Sequence, residues 1–296
     1  MPNRRTFLRQ TGLTSAGLLL RPKDLFATQP LIGLQLYTVR TQIAKDPDGT
    51  LAKVAEIGYN SVEAMGYGNG KFFGLTPAQF SAMIKKHGLK SPSGHYGMGN
   101  FLSKGDMADL KDNIAAAATM GHKYIVIPWI DDNLRTSLED YKKLAPKFNA
   151  AAVEARKNGL KLAYHNHDFE FKDWGGGKTG FDILLKETDP TLVNFEMDIY
   201  WATRAGQDPV KLINENPGRF KMWHLKDMSQ KEPPSYSVGG KQYFTHVGAG
   251  IIDFRKIFQY KRKSGMQYFF VEQDETNEPV FDAIAQSYKY VKTNLV

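Results

Sequence analysis

The chain has 296 residues, no cysteine, ordinary apolar and charged fractions, and a formal net charge of +8. Its length suits one large domain with a sizeable core, and the absence of cysteine excludes disulfides, thiolate metal sites and cysteine nucleophiles, as fits a protein exported already folded. The charge does not point to nucleic acid: Arg4, Arg5, Arg9, Arg21 and Lys23 against Asp24 place +4 of it in residues 1–29, and the remaining +4 is spread without a basic stripe.

Residues 1–29 include "NRRTFLRQTGLTSAGLLL". Paired Arg4-Arg5, then Phe7-Leu8 and a short apolar stretch, are similar to a twin-arginine export signal, so a periplasmic or otherwise exported protein is expected. The stretch is too short to span a bilayer as a helix, so no stable membrane anchor is expected. "LFA" at 25–27 is a poor small-x-small cleavage site, which leaves processing open.

From Leu31 onward, short apolar runs alternate with longer amphipathic stretches. The runs are "LIGLQLY" (31–37), "NSVEAM" (60–65), "LKSPSGH" (89–95), "KYIVIP" (123–128), "LKLAYHNH" (160–167), "LVNFEMD" (192–198), "RFKMWHLKD" (219–227) and "QYFFVEQD" (267–274). Helical stretches between them include "TLAKVAEIG", "TPAQFSAMIKKHG", "DMADLKDNIAAAATMG" and "TSLEDYKKLAPKFNAAAVEARKNG", with "PVFDAIAQSYKYVKTNL" closing the chain. Gly58, Gly88, Gly121 and Gly159 stand where a left-handed residue would stop a helix. Thr76-Pro77 reads as an N-cap followed by proline at the first helical position. Eight strands alternating with helices imply a parallel sheet closed into a (β/α)8 TIM barrel, one α/β domain over residues 30–296. The rival open sheet would carry a glycine-rich phosphate loop after its first strand, and "LQLYTVRTQ" has none.

The active site of such a barrel lies at the C-terminal strand ends. Those ends carry Gln35 and Tyr37, Glu63, His95, Trp129, His165 and His167, Glu196 and Asp198, His224 and Lys226, then Glu272 and Asp274. Side chains two apart share a strand face, which pairs His165 with His167, Glu196 with Asp198 and His224 with Lys226. Four consecutive strands ending in histidines and carboxylates suit one divalent ion (Mn, Zn, Mg or Co) with positions open to substrate oxygens.

Together, "LIGLQLYTVR", "YHNHDFEF", "FEMDIYWATRAG", "MWHLKDM", "VGAGIIDF" and "FFVEQDE" resemble the xylose-isomerase-like TIM-barrel superfamily. Its branches include sugar phosphate isomerase/epimerases, inosose dehydratases and keto-sugar epimerases, and the exported isomerase/epimerase branch is the nearest in pattern. The resemblance implies metal ligands at Asp198, His224 and Glu272. Where the epimerases carry a fifth-strand Glu, this chain has His165, a His-x-His pattern more like the inosose dehydratases. Trp201 replaces the epimerases' substrate-contacting histidine.

The expected ligand set is therefore His165, Asp198, His224 and Glu272. Proton abstraction beside a carbonyl needs a positioned base and stabilisation of the developing enediolate. His167 or Glu170 is expected as acid/base, with Glu272 in a double role and Lys226 stabilising the oxyanion or merely neutralising Asp227 or Glu196. Gln35, Tyr37, Glu63, His95, Trp129, Glu196 and Trp201 are expected to meet substrate. The long loop 229–250 is expected to shape the pocket, with His246 as a further contact. The expected function is a metal-dependent isomerase or epimerase of a free sugar or sugar derivative. A metal-dependent lyase or dehydratase of a keto sugar or keto-glycoside, and a non-catalytic periplasmic carbohydrate-binding protein, are the competing readings.

Overall fold

Eight parallel strands close a barrel in the computed structural model of the chain, which describes residues 30–238 and 242–296. The expected export signal at 1–29 lies outside the described residues. The strands are β1 (Gly33–Gln35), β2 (Ser61–Ala64), β3 (Lys90–His95), β4 (Tyr124–Ile127), β5 (Lys161–His165), β6 (Val193–Asp198), β7 (Phe220–Leu225) and β8 (Tyr268–Val271). Each pairs in parallel with its neighbours in sequence, and β8 returns to β1. All eight fall within the apolar runs, and the fold is the expected TIM barrel.

The principal helices are α1 (Pro47–Ile57), α2 (Pro77–Lys86), α3 (Met107–Met120), α4 (Leu138–Lys157), α5 (Gly180–Glu187), α6 (Pro209–Glu215), α7 (Phe254–Phe258) and α8 (Val280–Asn294). Their ends follow local chemistry. Thr76 and Gln79 form a reciprocal capping box at the start of α2, and Thr179 with Asp182 does the same for α5. The four expected stop glycines all have positive φ.

The barrel wall buries side chains on both faces. Leu34, Val62, Ile125, Leu162, Phe195, Trp223 and Phe269 belong to the large core shared with the helices. Inside, Tyr124, Val126, Ala163, Met222 and Phe270 form a separate apolar cluster joined by Tyr268. Tyr124 on β4 and Tyr268 on β8 lie on opposite walls, and their rings meet at 6.3 Å between centroids. An apolar plug therefore fills the lower barrel, and on β5, β7 and β8 the polar residues two positions further along, His165, His224 and Glu272, sit above it.

Two short ribbons flank the mouth. Tyr67–Gly68 pairs with Lys71–Phe72 around Asn69-Gly70, whose φ values of 51° and 76° are those of a type I′ turn. Asp227–Met228 pairs with Phe244–Thr245, folding the long loop after β7 back on itself.

Candidate active site and metal centre

The strand ends converge on a buried network of imidazoles and carboxylates. Glu63 on β2 accepts hydrogen bonds from Gln35 Nε2 (2.7 Å) and Ser93 Oγ (2.6 Å) and pairs with His224 Nε2 (2.6 Å). Glu196 Oε2 lies 2.8 Å from His95 Nε2, 3.1 Å from His165 Nδ1 and 3.3 Å from His224 Nε2. His224 Nδ1 contacts Glu272 Oε2 at 2.6 Å. Above this layer, Lys226 Nζ sits 3.1 Å from Asp198, 3.0 Å from Glu272 and 2.8 Å from Asp274. Unpaired, each of these buried charges would cost several kcal/mol, on the order of the desolvation of one ion.

The mutual pairing shifts the proton affinities of the network. Burial depresses His95, but the Glu63 and Glu196 carboxylates outweigh it and lift the imidazole to about 9. His224 is likewise raised, with Glu196 and Glu272 overcoming the cost of burial. Burial pushes Glu63 and Glu272 up, yet the cations beside them (His95 for Glu63, Lys226 and His224 for Glu272) hold both below the usual carboxylate range. His165 and His167 are depressed well below the ordinary histidine value, first by burial and then by neighbouring cations, so both are neutral at neutral pH. Asp274 is raised to about 6 by burial, against the pull of Lys226.

Over this network opens a cavity of about 550 Å³. His95, His165, His167, Lys226, Glu272 and Asp274 reach it, and Trp201 closes one wall. Tyr37, Met65, Tyr67, Trp129 and Val238 stand at its rim, all part-exposed. Asp198 and His224 lie just beneath, and Asp198 also caps the turn after β6 by accepting from Trp201 N at 2.9 Å.

Several expectations about individual residues need correction. Glu170 does not reach the cavity. β5 ends at His165, and the chain then enters a 3-10 turn over Phe169–Phe171 that turns Glu170 toward the outer wall, where it accepts from Tyr164 OH and from His167 N at 2.9 Å. Burial raises its carboxyl to about 8. Gln35 and Glu63 are fully buried and spend their polar atoms on the network rather than on a substrate, while Glu196, equally buried, gives Oε2 to the network and keeps Oε1 without a partner. His246 packs against Glu278 at 3.1 Å and is not part of the cavity lining. Lys226 neutralises neither Asp227 nor Glu196; Asp227 instead accepts from the backbone of Met228, Gly248, Gly250 and Ile252, pinning the end of the long loop.

Other lining residues had no place in the expected set. Asp274 was visible as a strand-end carboxylate but carried no role. Tyr67 is presented by the I′ ribbon, and its signal was Asn-Gly between "YG" and "KF".

Two donor groups fit a metal ion: His95, His165, Glu196 and His224, and, sharing His224, Asp198 with Glu272. The four expected ligands are thus divided between the groups. Glu196 Oε1 is buried without a hydrogen-bond partner, the condition of an oxygen that awaits a cation, whereas Asp198 Oδ2 already faces the Lys226 ammonium at 3.1 Å. The nitrogen and carboxylate donors suit a first-row divalent ion.

A profile described as "Xylose isomerase-like TIM barrel" matches residues 51–293. The chain belongs to this family. Among family relatives, an inosose dehydratase of Lacticaseibacillus casei is 27% identical over 179 residues, which are 56% of this chain and 58% of that protein. The chain therefore matches less than two thirds of the length of such curated relatives. A sugar phosphate isomerase/epimerase structure from Parabacteroides distasonis superposes with a TM-score of 0.77 at 27% identity, covering 90% of this chain and 95% of that one. The IOLI protein, crystallised with a zinc atom, superposes with a TM-score of 0.70 at 15% identity, covering 89% and 97%, a likeness of fold. The inosose dehydratase and the sugar phosphate isomerase/epimerase are sugar-modifying enzymes, in keeping with an enzyme here.

Proposed function

We propose that this xylose-isomerase-like barrel is a divalent-metal-dependent enzyme that removes a proton beside the carbonyl of a sugar or sugar derivative, and that it isomerises or epimerises its substrate. The observation that carries this reading is the cavity floor, where a lysine kept protonated by three carboxylates faces two neutral imidazoles across one space. The ion would be held by His165, His224 and the carboxylates around them, and when bound it supplies Lewis-acid polarisation of substrate oxygens.

The chain's own residues do the remaining work. Lys226 Nζ donates to oxygen on which negative charge develops, a task its locked protonation suits. His167 is unprotonated, and its Nδ1 has no hydrogen-bond partner, so it is free to take a proton from carbon. The Glu272 carboxylate beside it favours the imidazolium that forms. Asp274, raised to about 6, is poised to return a proton at the opposite side of Lys226. Trp201 and Trp129 exclude water and give flat walls to a sugar ring.

A second reading, dehydration, is favoured by one observation: His165 stands in place of the fifth-strand Glu expected of the epimerases, and inosose dehydratases are among the relatives. After the same proton abstraction, Asp274 would protonate a departing β-hydroxyl. The test is incubation of metal-loaded protein with a panel of ketoses and inososes in D₂O, followed by NMR. Deuterium entering beside the carbonyl with the carbon skeleton intact supports isomerisation or epimerisation. Loss of water assigns dehydration. No exchange with any member refutes both and leaves a carbohydrate-binding protein.

A further inference from the structure

The cavity changes character from floor to rim. The histidines, Lys226, Glu272 and Asp274 that line it lie at the floor, while Tyr37, Met65, Tyr67, Trp129 and Val238 surround the opening. These five come from four strand-end segments, Met65 and Tyr67 sharing the one after β2, and stay part-exposed, with Tyr37 at 38%. Two of them are braced rather than loose. Trp129 meets His167 edge-on at 4.9 Å and Phe169 at 5.1 Å, and Tyr67 packs on Phe72 at 5.1 Å and Tyr96 at 5.7 Å. Met65, Tyr67, Trp129 and Val238 pack one side against the core and leave the rest open at the cavity, and apolar surface left open in a ring is the mark of a binding surface.

The cavity is also poor in free cations. Among the described residues that line it, Lys226 is the only lysine or arginine, and three carboxylates surround it. Arg40, next to the rim, donates to the carbonyls of Tyr37 (3.1 Å) and Asp274 (2.6 Å). Arg135, behind Trp129, donates to Ile130 O at 2.9 Å and pairs with Asp132. Among the described side chains that line the cavity, a phosphate would meet Glu272 and Asp274 and no unpaired lysine or arginine. The volume of about 550 Å³ falls within the roughly 300–1,000 Å³ of pockets that enclose drug-sized ligands, leaving room for a second ring beside the reacting one.

We propose that the substrate is an unphosphorylated glycoside, its reacting sugar ring on the charged floor and a second ring with a flat apolar face against the aromatic rim. This rests on the sugar-modifying reading above and specifies its substrate class. The second ring is an aryl aglycone or another sugar, since both present such a face to tryptophan and tyrosine.

Binding to metal-replete protein by isothermal titration calorimetry tests it with four probes: glucose, glucose 6-phosphate, phenyl β-D-glucopyranoside and cellobiose. The expected result is that the phenyl glucoside, cellobiose or both bind at least about tenfold more tightly than glucose, from the extra apolar area covered, while the phosphate brings no gain. Which of the two wins identifies the second ring. Trp129→Ala is expected to narrow the ratio to under about threefold, with Tyr67→Ser serving if that variant does not fold. Tightest binding by glucose 6-phosphate, or no preference among the four, overturns the proposal. Because no turnover is needed, absent proton exchange would refute the assigned reaction without touching this result, and absent preference would refute this inference alone.

Discussion

Replacing Lys226 by methionine tests the charge arrangement of the floor. The ammonium is 2% exposed and touches Asp198, Glu272 and Asp274 within 3.1 Å. Methionine keeps most of the volume and removes the charge, leaving three carboxylates around an apolar side chain. Breaking a buried ion pair from one side costs about 3–5 kcal/mol. The carboxylates can escape part of that cost by protonation, and Asp274, already raised to about 6 by burial, loses the cation that holds it down. A carboxyl raised further in the folded state retains a proton that the unfolded chain has released. The variant's deficit therefore grows as pH rises through and beyond 6, and shrinks toward pH 5. Urea unfolding followed by tryptophan fluorescence should show a loss of about 3–5 kcal/mol at pH 8 and less than half of that at pH 5. Turnover should fall by about 10²–10³-fold, as for loss of one oxyanion donor. An equal deficit at both pH values would refute the assigned pairing.

Glu170→Gln should leave kcat within about twofold, because the side chain faces the outer wall; a hundredfold loss, about 2.7 kcal/mol of barrier, would return it to the acid/base set. Wild-type Glu170 is raised to about 8, so its ionisation withdraws stability as pH climbs from ~4.5 toward 8, by up to about 4–5 kcal/mol, and the glutamine variant should lack that slope in urea titrations. His122 is buried between Ser91 and Tyr96 and depressed to about 3, chiefly by burial. The unfolded chain alone takes up this proton below about 6.5, so stability falls with acid, by about 3 kcal/mol at pH 4, and His122→Gln should flatten the decline. Metal content should tell which donor group is occupied: Glu196→Gln loses the ion if the three-histidine group holds it, and Asp198→Asn if the carboxylate group does. Retention in both variants would contradict a site built from either.

The barrel was legible because parallel strands buried on both faces leave continuous apolar runs, and because glycine closes one helix after another at Gly58, Gly88, Gly121 and Gly159. The polar strand ends located the mouth for the same reason: polarity that rises along every strand has no packing explanation. Individual directions were less legible. His165 and His167 both reach the cavity, but β5 ends at His165 and the 3-10 turn that follows carries Glu170 outward, beyond what strand alternation describes. Nor does spacing in sequence show how three carboxylates from two strands share one lysine, or that Glu63 and Glu196 lie beneath the cavity and not within it. His246 sits in a loop whose course is set by Asp227 and the Phe244–Thr245 ribbon, a tertiary arrangement no local pattern records.

The central claim is that the barrel mouth holds a divalent ion through His224, the donor common to both groups. Elemental analysis of purified, metal-loaded protein after dialysis addresses it directly. Wild-type protein should retain roughly one ion per chain, and folded His224→Gln should retain less than about a tenth of that. Full retention by the variant, or no ion in the wild type, would contradict the claim.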